Sequence, residues 1–317
     1  MKIYALEYYR EFKCAASDCV HSCCVGWEID VDADTLNLYK TIKGSMGRRL
    51  AENISQDAVP HFILKPDGRC PFLNNNGLCE IITQLGEDAL CDICFDHPRY
   101  RNYFSDRTEL GLGLCCEAAA KLILSQKGRT QLIVLNDDGE EIHPDENEKE
   151  LFSLRDKGFS VIQDRNKKID ERTVELLKLF DCRTSVLSAE GQADFCLCLE
   201  RLDPNWEKYL KVLKTVKTAD ALSFGLTGSE VFFEQLIIYF FLRHFNMENF
   251  EKSPSFAAFF CVQSYLIIKK ICAAVKMENG KLSFDEVVDI CRMYSSEIEY
   301  SEENMRAFSV LHLSSQK

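Results

Sequence analysis

Basic residues are in the minority in this 317-residue chain, 38 Lys and Arg against 50 Asp and Glu, for a net charge of -12. Nowhere do they gather into the run that tracks a phosphate backbone, which argues against a nucleic-acid partner. An export leader is also lacking. "MKIYALEYYREFKC" carries Glu7, Arg10, Glu11 and Lys13 where a signal peptide needs an uninterrupted apolar segment and a small-residue cleavage site, so a cytoplasmic location is expected. The most apolar stretches, "VFFEQLIIYFFL" (231–242) and "FAAFFCVQSYLII" (256–268), are broken by Glu234, Gln235 and Gln263. They fall short of a membrane span and read as core helices. Internal repeats and low-complexity segments are missing, and long alternating runs are scarce, which makes a parallel, doubly wound sheet improbable.

Cysteine, by contrast, is abundant: there are sixteen. Without export signals a reducing compartment is expected, where thiols serve metals or catalysis rather than disulfides. Cys23 and Cys24, being adjacent, also do not suit ordinary disulfide geometry. Ten cysteines fall in the first 116 residues: Cys14, Cys19, Cys23, Cys24, Cys70, Cys79, Cys91, Cys94, Cys115 and Cys116. The other six (Cys182, Cys196, Cys198, Cys261, Cys272, Cys291) stand in apolar, helix-like segments, where a thiol behaves as a small hydrophobe.

The chain divides by pattern. Residues 1–125 are a loop-rich, cysteine-bearing region with helix candidates at 32–54, 80–90 and just after Cys116. Residues 126–150 hold the apolar run "TQLIVLNDDGEEI", which suggests one small hairpin, and an acidic linker. Residues 151–317 show apolar spacing of three and four in about six segments, with start signals at Asp203, Ser229 and Ser283. The expected fold is mainly α: a metal-binding N-terminal part, then a helical bundle, with at most one small β-hairpin between them. With 46% hydrophobic residues the chain can bury a large core.

Short-spaced thiols on several loops are the pattern of ligands converging on zinc or an iron-sulfur cluster, and the spacing leaves the choice between them open. A radical S-adenosylmethionine enzyme needs Cys-x3-Cys-x2-Cys, but Gly26 stands where the third ligand would follow Cys19 and Cys23. A thioredoxin-like reading of "CDIC" (91–94) lacks its β-α-β setting. Among the neighbours, His21 is surplus to a sulfur site, His97 turns the chain before Pro98 or serves as a ligand, and Trp27 anchors the core.

The motifs "CAASDCVHSCCVGWEI", "CPFLNNNGLCEI", "LGEDALCDICFDHPRY" and "LGLCCEAA", in this order, resemble the flagellin lysine-N-methylase family, whose N-terminal part is similar to zinc- or iron-chelating cysteine-cluster proteins. The distinctive motifs cover residues 14–120, and "EQLIIYFFLRHF" resembles a segment of the family. Carried over, the family pattern falls on Cys14, Cys19, Cys23, Cys24, Cys70, Cys79, Cys94 and Cys115, with Cys91 and Cys116 as second-choice ligands. What the resemblance implies is S-adenosylmethionine (SAM)-dependent methylation of flagellin lysines and a 4Fe-4S cluster, with zinc as the alternative metal. The competing reading is a non-catalytic zinc- or iron-binding protein whose helical domain binds a partner.

Methylating a lysine requires the neutral amine, whose deprotonation at pH 7 costs roughly 4 to 5 kcal/mol. A buried acceptor among apolar residues is therefore the feature to seek. Gln235, Tyr239 and Arg243 recur every four residues and form one polar stripe on an apolar helix. The stripe lines a cofactor or amine pocket, with Gln235 and Arg243 on the cofactor and Tyr239 as acceptor, or else it bonds to neighbouring helices; Glu234, on another face, is a second acceptor or a solvated end. No Gly-rich strand-turn-helix loop locates the SAM site. A polar methyl transfer moves no electron, so a structural or positioning role is favoured for the metal.

Overall fold

A computed structural model describes residues 1–139, 141–182, 189–215 and 230–315. The chain is mostly helical, 58%, with fourteen helices among the described residues and a small four-stranded sheet. It forms two compact units that do not follow chain order: Lys13–Tyr100 with Cys116–Ala118 in one, and Met1–Phe12, Arg101–Cys115 and everything from Ala119 in the other.

The first unit is a set of loops pinned by short helices. Helix α1 (Ala33–Thr41) begins where the Asp32 carboxylate accepts the Thr35 amide at 2.8 Å, relieving an unpaired helix-end donor. Helices α2 (Gly44–Glu52), α3 (Glu80–Leu85) and α4 (Asp92–Asp96) follow. The helices expected at 32–54 and 80–90 are thus present but broken, the first at Ile42–Lys43 and the second at Gly86. Between them the loops touch through isolated bridges, Val25 with Arg69 and Asp30 with His61. One core collects Ile29, Tyr39, Leu50, Phe62, Phe72 and Ile81, and takes in Cys70 and Cys91.

Apart from the first two residues of β2, the sheet belongs to the second unit, in the order β2-β3-β1-β4. Its strands are β1 (Lys2–Leu6), β2 (Arg99–Tyr103), β3 (Arg107–Leu112) and β4 (Leu132–Asp137). Strand β1 runs parallel to β3, with Lys2 opposite Arg107, and antiparallel to β4, with Leu6 opposite Leu132. This corrects the expectation of at most one hairpin. The strand in "TQLIVLND" exists, but its partner is the N-terminal "KIYAL" rather than a local return strand. A five-residue strand with partners more than a hundred residues away carries too short an alternation to be read.

The helices of this unit are α5 (Glu117–Ser125), shared at its first turn with the thiol loops, then α6 (Glu146–Ile162), α7 (Ile169–Leu179), α8 (Ala189–Cys198), α9 (Trp206–Thr215), α10 (Glu230–His244), α11 (Met247–Lys252), α12 (Phe256–Asn279), α13 (Phe284–Ile298) and α14 (Glu302–Ser315). Nine lie beyond residue 145 among the described residues, where six were expected; α8, α11 and α14 were not read as helices. Helix α6 starts inside the expected acidic linker, because Asp145 and Glu148 close a reciprocal capping box. Ser283 and Glu286 cap α13 in the same way, while Ser229 lies outside the described residues.

At 24 residues, α12 is long and apolar enough to cross a bilayer by composition, but 89% of its most apolar window is buried inside the protein. Together with α10 it forms the centre of the unit. Helix α6 approaches α10 closely at Gly158, where a Cβ would stand 2.5 Å from Phe241. The sheet is tied to α6 by a buried bidentate pair, Arg155 to Glu109 at 2.6 and 2.7 Å.

Candidate functional site

Within the thiol unit the cysteines sort into two neighbourhoods. In one, the Glu117 carboxylate accepts the amides of Val20 and His21 at 3.0 and 3.3 Å, which brings Cys116 to the loop of Cys14, Cys19 and Cys23. Burial pushes the Cys19 thiol up to about 11, reinforced by the negative field of Cys116, Glu117 and Cys14. In the other, the Cys70 amide donates to the Cys24 carbonyl at 2.8 Å, and Cys24, Cys70, Cys79, Cys91 and Cys94 share the core around Phe72.

Adjacent Cys23 and Cys24 belong to different neighbourhoods and are linked to each other. Cys23 donates its thiol hydrogen to Cys24, so Cys23 is held well above its ordinary value and Cys24 is drawn down to about 7. Cys94 does the same for Cys91, which is lowered while Cys94 is raised. The Trp27 indole donates to the Cys23 carbonyl at 2.6 Å and its ring lies 5.7 Å from His97. The His97–Pro98 bond is cis, and His97 is held down to about 4 by burial and by Arg99. His21 donates its backbone amide to this same Glu117 carboxylate.

All-thiol sets suit a soft metal by chemistry, yet among the described residues no three His, Cys, Asp or Glu side chains converge as a metal-holding group. Cys115, one of the eight thiols the family pattern selects, is in neither neighbourhood. It lies in the other unit, and Cys116 takes the place beside Cys14, Cys19 and Cys23.

In that second unit the polar stripe of α10 and the adjacent Glu234, which is buried rather than a solvated end, face three surroundings. Glu234 is fully buried and grips two guanidiniums, Arg172 at 2.7 Å and Arg165 at 2.8 Å. Committed in this way, its carboxylate suits an anchor rather than a proton acceptor. Gln235 accepts from the Thr130 hydroxyl at 2.5 Å and donates to the Gly128 carbonyl at 2.9 Å.

Tyr239 and Arg243 meet in a buried node built around Glu299. The Tyr239 hydroxyl donates to Glu299 at 2.9 Å, and accepts from Arg243 at 2.7 Å and from the Leu114 amide at 3.2 Å. Glu299 also accepts from Ser295 at 2.6 Å and pairs with His244 at 2.8 Å. Burial pulls the Glu299 carboxyl up, but Arg243 and His244 outweigh it and hold the group below its ordinary value. His244 is lowered by burial. The Arg243 guanidinium stands 5.0 Å from the Tyr300 ring, and Cys115 lies against both. Gly113 makes this convergence possible. A Cβ there would stand 2.7 Å from the Tyr300 hydroxyl, 3.2 Å from Arg243 and 3.3 Å from the Cys115 sulfur.

The structure thus brings Tyr239 and Arg243 together and sets Glu234 and Gln235 apart from them. Sequence reasoning missed Glu299, His244, Ser295 and Tyr300. The available signal was Ser295 and Glu299, four residues apart at the end of an apolar helical segment, where two polar groups must find partners inside.

Residues 159–311 match the family model of the FliB lysine N-methylase C-terminal domain. The chain is 29% identical over 125 residues to the flagellar biosynthetic protein FliU of Salmonella muenchen, covering 37% of this chain and 74% of that protein. It is also 29% identical over 125 residues to the lysine-N-methylases of Salmonella typhimurium and Salmonella choleraesuis, where the match spans 37% of this chain and only 31% of each relative. No solved structure matches. The resemblance seen in the cysteine motifs is borne out.

Proposed function

We propose that the chain, whose residues 159–311 match the FliB lysine N-methylase C-terminal domain, transfers methyl groups from SAM to lysine side chains of a protein, with flagellin as substrate. The domain match is the observation that carries this reading, and the buried Tyr239–Glu299–Arg243 node is the chemistry that supports it. SAM supplies an electrophilic methyl on a sulfonium; the protein must supply a neutral amine, at the roughly 4 to 5 kcal/mol set by the ordinary lysine pKa.

Tyr239 is the acceptor in this proposal. The lysine ammonium displaces the longer bond from the Leu114 amide and gives a proton to the lone pair of the Tyr239 oxygen that it frees, as Tyr239 passes its own to Glu299 along the existing 2.9 Å hydrogen bond. Arg243 and His244 keep Glu299 ionised beforehand, which leaves it ready to receive and makes receipt costly. The amine nitrogen then attacks the methyl carbon, the carbon–sulfur bond breaks, and the sulfur leaves as a neutral thioether. The thiols take no part in these steps. A metal held by them, a 4Fe-4S cluster or zinc, has a structural role in the proposal.

Flagellin incubated with the chain and methyl-labelled SAM, read by intact mass and peptide mapping, tests the reading. Mass gains of 14 Da steps on lysines are expected, a figure set by adding CH2 per transfer, at ~14 Da each. A folded chain that methylates no lysine overturns it and favours the non-catalytic binding protein.

A further inference from the structure

Exposure in the Tyr239–Glu299 node rises in one direction. Tyr239, Ser295 and the Glu299 carboxylate are buried, Arg243 is 13% exposed and Tyr300 is 40% exposed. The course from solvent to the Tyr239 oxygen therefore runs along the Tyr300 ring and past Arg243. We propose that Tyr300 forms the mouth of the lysine site and selects its substrate, a long unbranched amine whose methylenes lie on the exposed part of the ring while the nitrogen reaches Tyr239. This rests on the methyl-transfer reading above and adds to it a substrate-binding residue that the transfer step does not use.

The chain path accounts for the arrangement. Helix α13 ends at Ile298, and Glu299 keeps helical backbone angles as its cap. Successive side chains there leave the axis roughly 100° apart, so Glu299 turns into the node and Tyr300 stands at its rim. The Tyr300 hydroxyl is directed inward. It is hydrogen-bonded to the Cys115 sulfur and passes Gly113, where a missing side chain leaves it room. Burial of that end pushes its pKa above the ordinary tyrosine value, although much of the ring is in solvent.

Anchored by its polar tip, the ring is a fixed apolar surface at the edge of the node. The Arg243 guanidinium stands 5.0 Å from it and donates to the Tyr239 oxygen at 2.7 Å. Ring, guanidinium and acceptor thus run as one series from surface to core. A lysine side chain has the same order of parts, an apolar stem ending in a charged nitrogen. Its stem matches the ring outside, and its amine meets the acceptor inside.

The test is steady-state methylation of flagellin by the full chain, paired with iodoacetamide labelling of Cys115 read by peptide mass mapping, with exposed Cys198 as the internal reference. Tyr300→Ala should raise KM for flagellin about tenfold or more, the scale of uncovering two lysine methylenes, with a much smaller change in kcat and in KM for SAM. Tyr300→Phe keeps the ring and should recover most of that loss. Cys115 should label several-fold faster in Tyr300→Ala, because its cover is gone. Urea midpoints near wild type show that both variants fold. A flagellin KM within about twofold of wild type in Tyr300→Ala overturns the proposal, as does a fall in kcat alone, which marks a support for Arg243 rather than a contact with substrate. The first of these outcomes leaves the methyl-transfer function standing. A wild-type chain that methylates no lysine overturns the function; faster labelling of Cys115 in Tyr300→Ala then keeps Tyr300 as the entrance to the node, and an unchanged rate removes that as well.

Discussion

Lys270 on α12 is 3% exposed, and its amine donates to the Gln192 side-chain oxygen at 2.8 Å. Burial, with Lys269 adding to it, lowers its pKa from an ordinary 10.5 to about 8. At 1.36 kcal/mol per pH unit, that depression costs the folded state about 3 kcal/mol wherever the amine is charged in both states. The sign follows from proton counts. Below pH 8 both states hold the proton and the penalty is complete. Between pH 8 and 10.5 the unfolded chain holds more protons than the folded one, so stability rises with pH; above 10.5 the penalty is gone. Lys270→Met removes the group at similar volume and leaves Gln192 short of a donor, a loss of about 1 kcal/mol that does not depend on pH. Urea unfolding of both proteins at pH 7, 8.5 and 10 should show the variant gaining stability over wild type at pH 7, with the gain shrinking by about 2 to 3 kcal/mol by pH 10. Taking the difference cancels every other titrating group. A difference that stays flat from pH 7 to 10 refutes the reasoning.

Four further outcomes are expected. Glu234→Gln takes the close counter-charge from buried Arg172, leaving it the Glu230 carboxylate at 4.0 Å, and should cost about 3 kcal/mol in urea unfolding, the scale for breaking a buried pair; a loss under ~0.5 kcal/mol would place the pair among exposed ones. Gly113→Ala should cost about 1 to 3 kcal/mol by overpacking Tyr300 and Arg243, with a changed near-ultraviolet circular dichroism signal from Tyr300. Tyr239→Phe should lower kcat about 100-fold or more, the scale of a lost proton acceptor, with little change in the SAM dissociation constant. For the proposed metal, anaerobically purified protein should carry it, with absorption near ~400 nm if it is an iron-sulfur cluster. Cys116→Ser should then lose metal while Cys115→Ser keeps it, and equal losses would contradict the sorting of the thiols.

Reading the sequence found helices wherever apolar residues recur every three or four positions over a long stretch, as in α10, α12 and α13. It failed for α8 and α14, whose apolar stripes are thin, and for the sheet, because β1 becomes a strand only through partners at 107–110 and 132–137. The stripe of Gln235, Tyr239 and Arg243 was legible as one face of a helix. Its division between Thr130, Gly128 and Glu299 was not, since hydrogen-bond partners on other elements leave no trace in the helix's own spacing. The cysteine pattern was legible as a group, but its partition was not. Cys115 and Cys116 are neighbours in sequence, and it takes the Glu117 bonds to Val20 and His21 to place Cys116 with the loop of Cys14 to Cys23.

The matched segment and the folded unit have different limits, and the difference bears on where chemistry resides. Tyr239, Arg243, His244, Ser295, Glu299 and Tyr300 all fall within residues 159–311. The node they form is closed by Leu114, whose amide donates to Tyr239, and by Gly113, whose missing side chain leaves room for Arg243 and Tyr300. Both residues follow β3, a strand that pairs with the N-terminal β1. The loop of Gly128 and Thr130 likewise precedes β4, which pairs with the same strand, and it is pinned by Gln163, Arg165 and Gln235 from the matched segment. Strand β1 therefore sits between two supports of α10, one at Tyr239 and one at Gln235. A segment cut to the matched residues would lose the Leu114 donor, the Gly113 clearance and the Gly128 and Thr130 partners of Gln235 together, so the reacting groups proposed here belong to the sheet-bearing unit as a whole rather than to its helices alone.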